Sequence, residues 1–192
     1  MRNILKATTL ENKFPLFTVE NGCIVSKDAD ITVAFRVELP ELFTVTAAEY
    51  EAIHSAWNKA VKVLPDYSIV HKQDWFIKEN YAPDIQKDDL SFLSRSFERH
   101  FNERPFLNHT CYLFLTKTTK ERSRMQSNFS TLCRGFLVPK EIKDKETVTK
   151  FLEAVGQFES IINDSGFITL TRLNSDEITG TKETAGIVEK YF

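Results

Sequence analysis

Apolar and polar positions alternate most cleanly at Ile31, Val33, Phe35, Val37 and Leu39, a period of two that predicts a strand over 31–39. Pro40 stops it. Upstream, Phe14 to Val19 and Cys23 to Ser26 are short apolar runs joined by Glu20-Asn21-Gly22. Asn-Gly between such runs signals a hairpin, because both residues tolerate positive φ. Downstream the period changes. Thr46-Ala47-Ala48-Glu49 is a capping box, with Thr as N-cap and Glu closing the return bond. It opens a helix over 47–64 that sets Tyr50, Ile53, Trp57, Val61 and Leu64 on one stripe, and Pro65-Asp66 ends it.

Residues 67–77 follow as a strand of mixed polarity, and 83–89 as a connection. A second helix, about 89–103, aligns Leu90, Leu93, Phe97 and Phe101, with Pro105 after it. The nearly continuous apolar run 109–116 predicts an interior strand. In 117–138 only Met125, Phe129 and Leu132 hint at a helical stripe. The strongest helix spans 144–163: Val148, Phe151, Leu152, Val155, Phe158 and Ile162 follow i, i+3, i+4, i+7 spacing. Asp164-Ser165-Gly166 stops it, and 167–173 returns as a strand. The rest is polar until an apolar pattern starts at Ala185 and runs to Phe192.

In order, the main elements spell β-α-β-β-α-β. That order predicts an α+β fold: an antiparallel sheet of split, ferredoxin-like order with its helices mainly on one face. The expected organisation is one domain over 1–192, with an N-terminal hairpin region over 1–28 and a helical insertion over 80–106.

Composition changes this picture little. The 192 residues are 42% hydrophobic and 27% charged, as in ordinary globular proteins and unlike collagen, coiled coils or disordered tails. A formal charge of −2 provides no global field towards nucleic acid or anionic lipid. Cys23, Cys111 and Cys133 are widely spaced among apolar neighbours, the setting of buried reduced thiols, and no CxxC pair suggests zinc. No apolar run suits a signal peptide or a membrane span, so a cytoplasmic location is expected.

Candidate chemistry is sparse. A phosphate-binding loop needs two glycines five apart followed by Lys and Ser or Thr. Gly22, Gly135, Gly156, Gly166, Gly180 and Gly186 never meet that spacing, and Gly180-Thr181-Lys182 is a chance fragment. His54, His71, His100 and His109 form no HExxH or HxH pattern, and no serine sits in a GxSxG elbow. His71 and Asp74 are the residues an undescribed enzyme would use, but on a strand that spacing puts them on different faces. Asp28/Asp30, Asp88-Asp89 and Asp176-Glu177 are better explained by helix starts than by paired-carboxylate chemistry. No catalytic residue and no metal ligand is assigned.

The best surface candidate is basic. Arg95 and Arg99 are i, i+4 neighbours on the inserted helix, and Lys117, Lys120, Arg122 and Arg124 follow the interior strand. Interspersed Thr, Ser and Glu favour a protein contact over nucleic acid. Phe92, Phe97, Phe101 and Phe106 stand at core spacing rather than as a stacking platform.

Several strings carry a family resemblance: Met1 to Ala7, Phe35-Arg36-Val37-Glu38-Leu39-Pro40-Glu41, Tyr50 to Trp57, Leu64-Pro65-Asp66-Tyr67 through His71-Lys72-Gln73-Asp74, Phe97 to Pro105, and His109 to Lys117. Over essentially the whole chain they resemble the N-terminal region of TraG proteins, the conjugative-transposon ATPases of Bacteroides, which are similar to the large ATPase of type IV secretion. The resemblance implies a non-catalytic module that docks the motor onto a membrane transfer complex during DNA conjugation, from the cytoplasmic side of the inner membrane. Its partners would be the transfer-apparatus proteins and its own C-terminal motor domain, with homo-oligomerisation of the full-length protein left open. ATP and Mg would belong to that motor, and no cofactor is expected here. An apolar pattern that has just begun at Phe192 suggests a fragment of a longer chain. A second expectation is a domain of the same machine that contacts the transferred single-stranded DNA.

Overall fold

A computed structural model describes residues 14–28, 30–41, 43–81, 91–118 and 145–191. The fold is α+β, with an open antiparallel sheet and four helices among the described residues. Strands β1 (Leu16–Glu20) and β2 (Cys23–Ser26) form the N-terminal hairpin, with Asn21 and Gly22 at φ of 52° and 69° as the primed turn requires. β3 (Ile31–Glu38) leads into α1 (Ala47–Val63), and β4 (Ser68–Asn80) into α2 (Phe92–Asn102). β5 (Pro105–Lys117), α3 (Lys145–Asp164), β6 (Thr169–Arg172) and α4 (Ser175–Thr179) follow, then a 3₁₀ turn at Glu189–Tyr191.

The sheet runs β1-β2-β3-β5-β4. One edge of β3 is shared: β2 pairs with Ile31 to Val33, and β6 with Phe35 to Glu38. Its other edge pairs with β5 from Ile31↔Lys117 to Val37↔Cys111. β4 and β5 continue together from Ser68↔Lys117 to Asn80↔Pro105. The β4–β5 hairpin therefore overhangs the end of β3 as an arm.

Alternation decides what each face packs against. Val33, Phe35, Leu113, Leu115 and Leu170 meet Ala60 of α1 and Phe151, Val155, Phe158 and Ile162 of α3 in the larger core. Trp57 of α1 meets Phe158 edge to face, with ring centroids 5.7 Å apart. Burying each large side chain contributes about 1.5–3 kcal/mol before entropy is counted. The opposite face carries Ile24, Ala34 and Tyr112 under Leu173, Ile178 and Ile187. Sequence periodicity missed that second layer, because α4 is only one turn long and its cover comes from irregular backbone. Gly22 ties it down: its N–H donates to Ser175 Oγ at 3.0 Å, and a Cβ there would stand 3.1 Å from the Leu173 carbonyl oxygen.

Two apolar stripes differ from expectation. On α1, Tyr50 and Val61 are exposed while Ile53, Trp57, Ala60 and Leu64 pack inward, a stripe rotated by about one residue around Ala60. On α2 no described side chain is buried, so Leu93, Phe97 and Phe101 do not form the core face their spacing suggested. The α3 stripe packs as its spacing predicts. Met125, Phe129, Leu132, Cys133, Asp88 and Asp89 lie outside the described residues.

Candidate functional site

The arm is built by strand length. Beyond Trp75 and Thr110 its two strands have left β3 behind, and neither face of the arm is covered by a described helix. α2 sits at its tip, started by the Ser91 hydroxyl, which accepts from Ser94 N–H at 3.3 Å. Arg99 pairs with Glu103 at 2.7 Å across one helical turn. Phe92, Leu93 and Phe97 are 85%, 78% and 66% exposed. Phe101 touches Phe97 and Tyr81, and along the strands Phe76 and Leu107 are exposed on one face of the arm, Ile77 and Phe106 on the other. Nine exposed large apolar side chains on the arm and its helix, spread over both faces of the strands, are more than the scattered singles that need no explanation.

The root of the arm, on the α1 side, is polar. Register places Asp74 opposite Cys111, with His109 and Lys72 on the same face. His109 Nε2 donates to Asp74 Oδ1 at 2.8 Å, Lys72 bonds the other carboxylate oxygen, and the His109 ring stacks on Phe76 with centroids 4.7 Å apart. The bond from Lys72, then that from His109, holds the Asp74 carboxyl at a pKa of about 2, and the same bond raises Lys72. Burial pushes the Cys111 thiol up, which makes it a poor nucleophile. Beside this cluster a cleft of about 260 Å³ opens against Leu39, Ile53, Trp57 and Ile168. It adjoins a wider open groove of about 890 Å³ that shares Leu39, Ile53 and Ile168 and reaches His109. Among the described residues, no group of three or more His, Cys, Asp or Glu side chains could hold a metal.

His71 and Asp74 stand on different faces of β4, as their spacing implied. His71 lies against the Phe114 ring, and His109 from the neighbouring strand is the partner of Asp74. Only the register reveals that partnership, 35 positions apart. Glu177 closes a capping box on Asn174 at the start of α4, so Asp176-Glu177 does serve a helix start. Cys23 and Cys111 are buried free thiols, as their neighbours suggested.

The three basic candidates among the described residues are not brought together. Arg95 and Arg99 are on α2 at the arm tip, whereas Lys117 is at the far end of β5, about 40 Å of strand away at 3.3 Å per residue. There Lys117 Nζ donates to the Asp66 carbonyl at 2.6 Å and lies 5.6 Å from the Tyr67 ring centroid, bracing a turn in which Tyr67 has φ of 61°. Lys120, Arg122 and Arg124 lie outside the described residues. The exposed phenylalanines of the arm were the larger miss, since helical spacing says where an apolar face is and not whether anything covers it.

Residues 3–55 match a family model described as "Domain of unknown function, B. Theta Gene description (DUF3875)". That span covers the N-terminal hairpin, β3 and the first half of α1, and stops short of the arm. No curated protein matches the chain. No helix among the described residues is long and apolar enough to cross a membrane.

Proposed function

We propose that the chain is the non-catalytic N-terminal docking module of a conjugative-transfer ATPase of the TraG kind, and that its arm is the docking element. The family part of this reading rests on the resemblance of the strings from Met1 to Lys117. The docking part is carried by one observation, the apolar face of α2 held away from the body on a two-stranded arm. The occupant is an apolar face of a transfer-apparatus protein. The pairings β6–β3, β3–β5 and β5–β4, with α1 and α3 packed on one face, support a split β-α-β-β-α-β, ferredoxin-like core as the rigid base. The module would sit on the cytoplasmic side of the inner membrane, with ATP and Mg in the motor.

The test is binding of the purified chain to the remaining transfer proteins, one at a time. Phe92→Ser, Leu93→Ser and Phe97→Ser combined should weaken capture of one of them at least tenfold, or about 1.4 kcal/mol. Capture of the triple variant at the parent's affinity by every transfer protein contradicts the docking assignment.

One observation favours the second reading, a contact with the transferred strand: Arg95 and Arg99 alternate with exposed Phe92, Phe97 and Phe101, and exposed aromatics can stack on bases. Glu98 and Glu103 offset the charge, which ranks this reading below protein docking. Affinity for single-stranded DNA that falls steeply with salt would promote it.

A further inference from the structure

The far edge of the sheet is a single long strand. β4 closes the order β1-β2-β3-β5-β4, and among the described residues it pairs with β5 alone. Its 13 residues exceed the usual strand of about 5–6. Such an edge offers rows of N–H and C=O groups to another chain, and proteins blunt it with charged side chains such as the Lys72 and Lys78 present here, or block it with proline, a bulge or a short strand. β4 has none of the three that block pairing outright: it is long, it contains no proline, and its register with β5 is unbroken from Ser68 to Asn80.

Its side chains are arranged to meet themselves. We infer that β4 is the seam of a two-fold symmetric dimer, pairing antiparallel with β4 of a second copy about an axis at Gln73. In that register Lys72 stands opposite Asp74 of the other copy, and Asp74 opposite its Lys72. Ile69 meets Ile77, His71 meets Trp75 and Val70 meets Phe76. The shifts to either side fail on charge: an axis at Lys72 sets two ammonium groups against each other, and an axis at Asp74 sets two carboxylates. Like charges directly opposite are destabilising, whereas opposite charges and apolar pairs at these positions stabilise a sheet.

The exposures agree with this seam. Ile69, Phe76 and Ile77 are 50%, 63% and 43% exposed, and each gains an apolar partner across the axis. Lys72 and Asp74 already bond within the strand, so dimerisation closes a ring of four alternating charges. Asp74 also holds His109, and an ionised carboxylate, with about four acceptor sites, has room for one more donor. The seam pairs β4 alone and uses none of Phe92, Leu93 and Phe97, so its test does not depend on the docking proposed for α2.

Cysteine cross-linking under mild oxidation, with the molar mass from light scattering, tests the register. Directly opposite residues in antiparallel strands have Cα atoms about 4.5–5.5 Å apart, within disulfide range. Gln73→Cys should therefore trap a covalent dimer. Lys78→Cys should not, because its two copies would be roughly 34 Å apart at 3.4 Å per residue. The unsubstituted chain, with its own three cysteines, sets the background. Lys72→Glu should shift the chain towards monomer, and Lys72→Glu with Asp74→Lys should recover the dimer by restoring every opposite pair. A monomer at about 100 μM whose Gln73→Cys form cross-links no faster than Lys78→Cys overturns the inference. So does a dimer that Gln73→Cys fails to trap. If Lys72→Glu fails to fold, the two cysteine variants alone decide the outcome, since both lie on the exposed edge.

Discussion

Asp74 is held ionised by its neighbours, because one carboxylate accepts from both Lys72 and His109. Its folded pKa of about 2 lies below the ordinary 3.8, so the native state favours the ionised form. The resulting stabilisation is fully present above pH 4 and is lost as pH falls through about 2. With the side chain about one-third exposed, solvent screening keeps the gain modest. Urea melts of the parent and Asp74→Asn should differ at pH 6 and converge near pH 2; a gap that stays constant with pH would contradict the assignment. This residue was only half legible in the sequence. Asp74 and His71 are three apart and drew attention, but the true partner needed the β4–β5 register, which no local pattern encodes. Lys117 shows the same limit: its charge was visible, while its use in bracing the Asp66-Tyr67 turn was not.

Local chemistry was most legible where an element starts or turns. The Thr46 capping box forms as its spacing requires: Glu49 N–H donates to the Thr46 hydroxyl at 3.3 Å, and Thr46 N–H to Glu49 Oε2 at 2.7 Å. The bonds from Thr46 also lower the Glu49 carboxyl. Thr46→Ala should cost about 1 kcal/mol, read as a lower denaturant midpoint at unchanged slope. No change in midpoint would mean that packing of Ile53 and Trp57 alone fixes the start of α1. The Asn21-Gly22 hairpin and the α3 stripe belong to the same legible class, since both follow from backbone geometry or a long period. α2 does not. Its spacing is that of a core helix, and only the reach of the arm, set by strands longer than the sequence suggested, explains why that face meets water.

At the scale of the fold, the described residues form a sheet with one thick helical layer, one thin irregular layer and an arm that leaves both. Phe158 joins α1, α3 and the sheet at the centre of the thick layer, so Phe158→Ala should destabilise by about 3–5 kcal/mol. A loss below 1 kcal/mol in a denaturant titration would mean the two helices do not share one core with the sheet. The arm should respond oppositely, because substitutions at exposed positions usually shift stability by no more than about 0.5 kcal/mol. A loss of the proposed docking and a loss of folding are therefore separable there. The α+β class and the antiparallel sheet of the body could be anticipated from the sequence of elements. The overhang could not, since it depends on where β3 stops relative to β4 and β5. The most direct measurement is the frequency of DNA transfer by cells whose full-length parent carries Phe92→Ser, Leu93→Ser and Phe97→Ser. Transfer should fall at least tenfold, with the variant accumulating and melting like the parent; undiminished transfer at equal protein level would contradict a docking role for the arm.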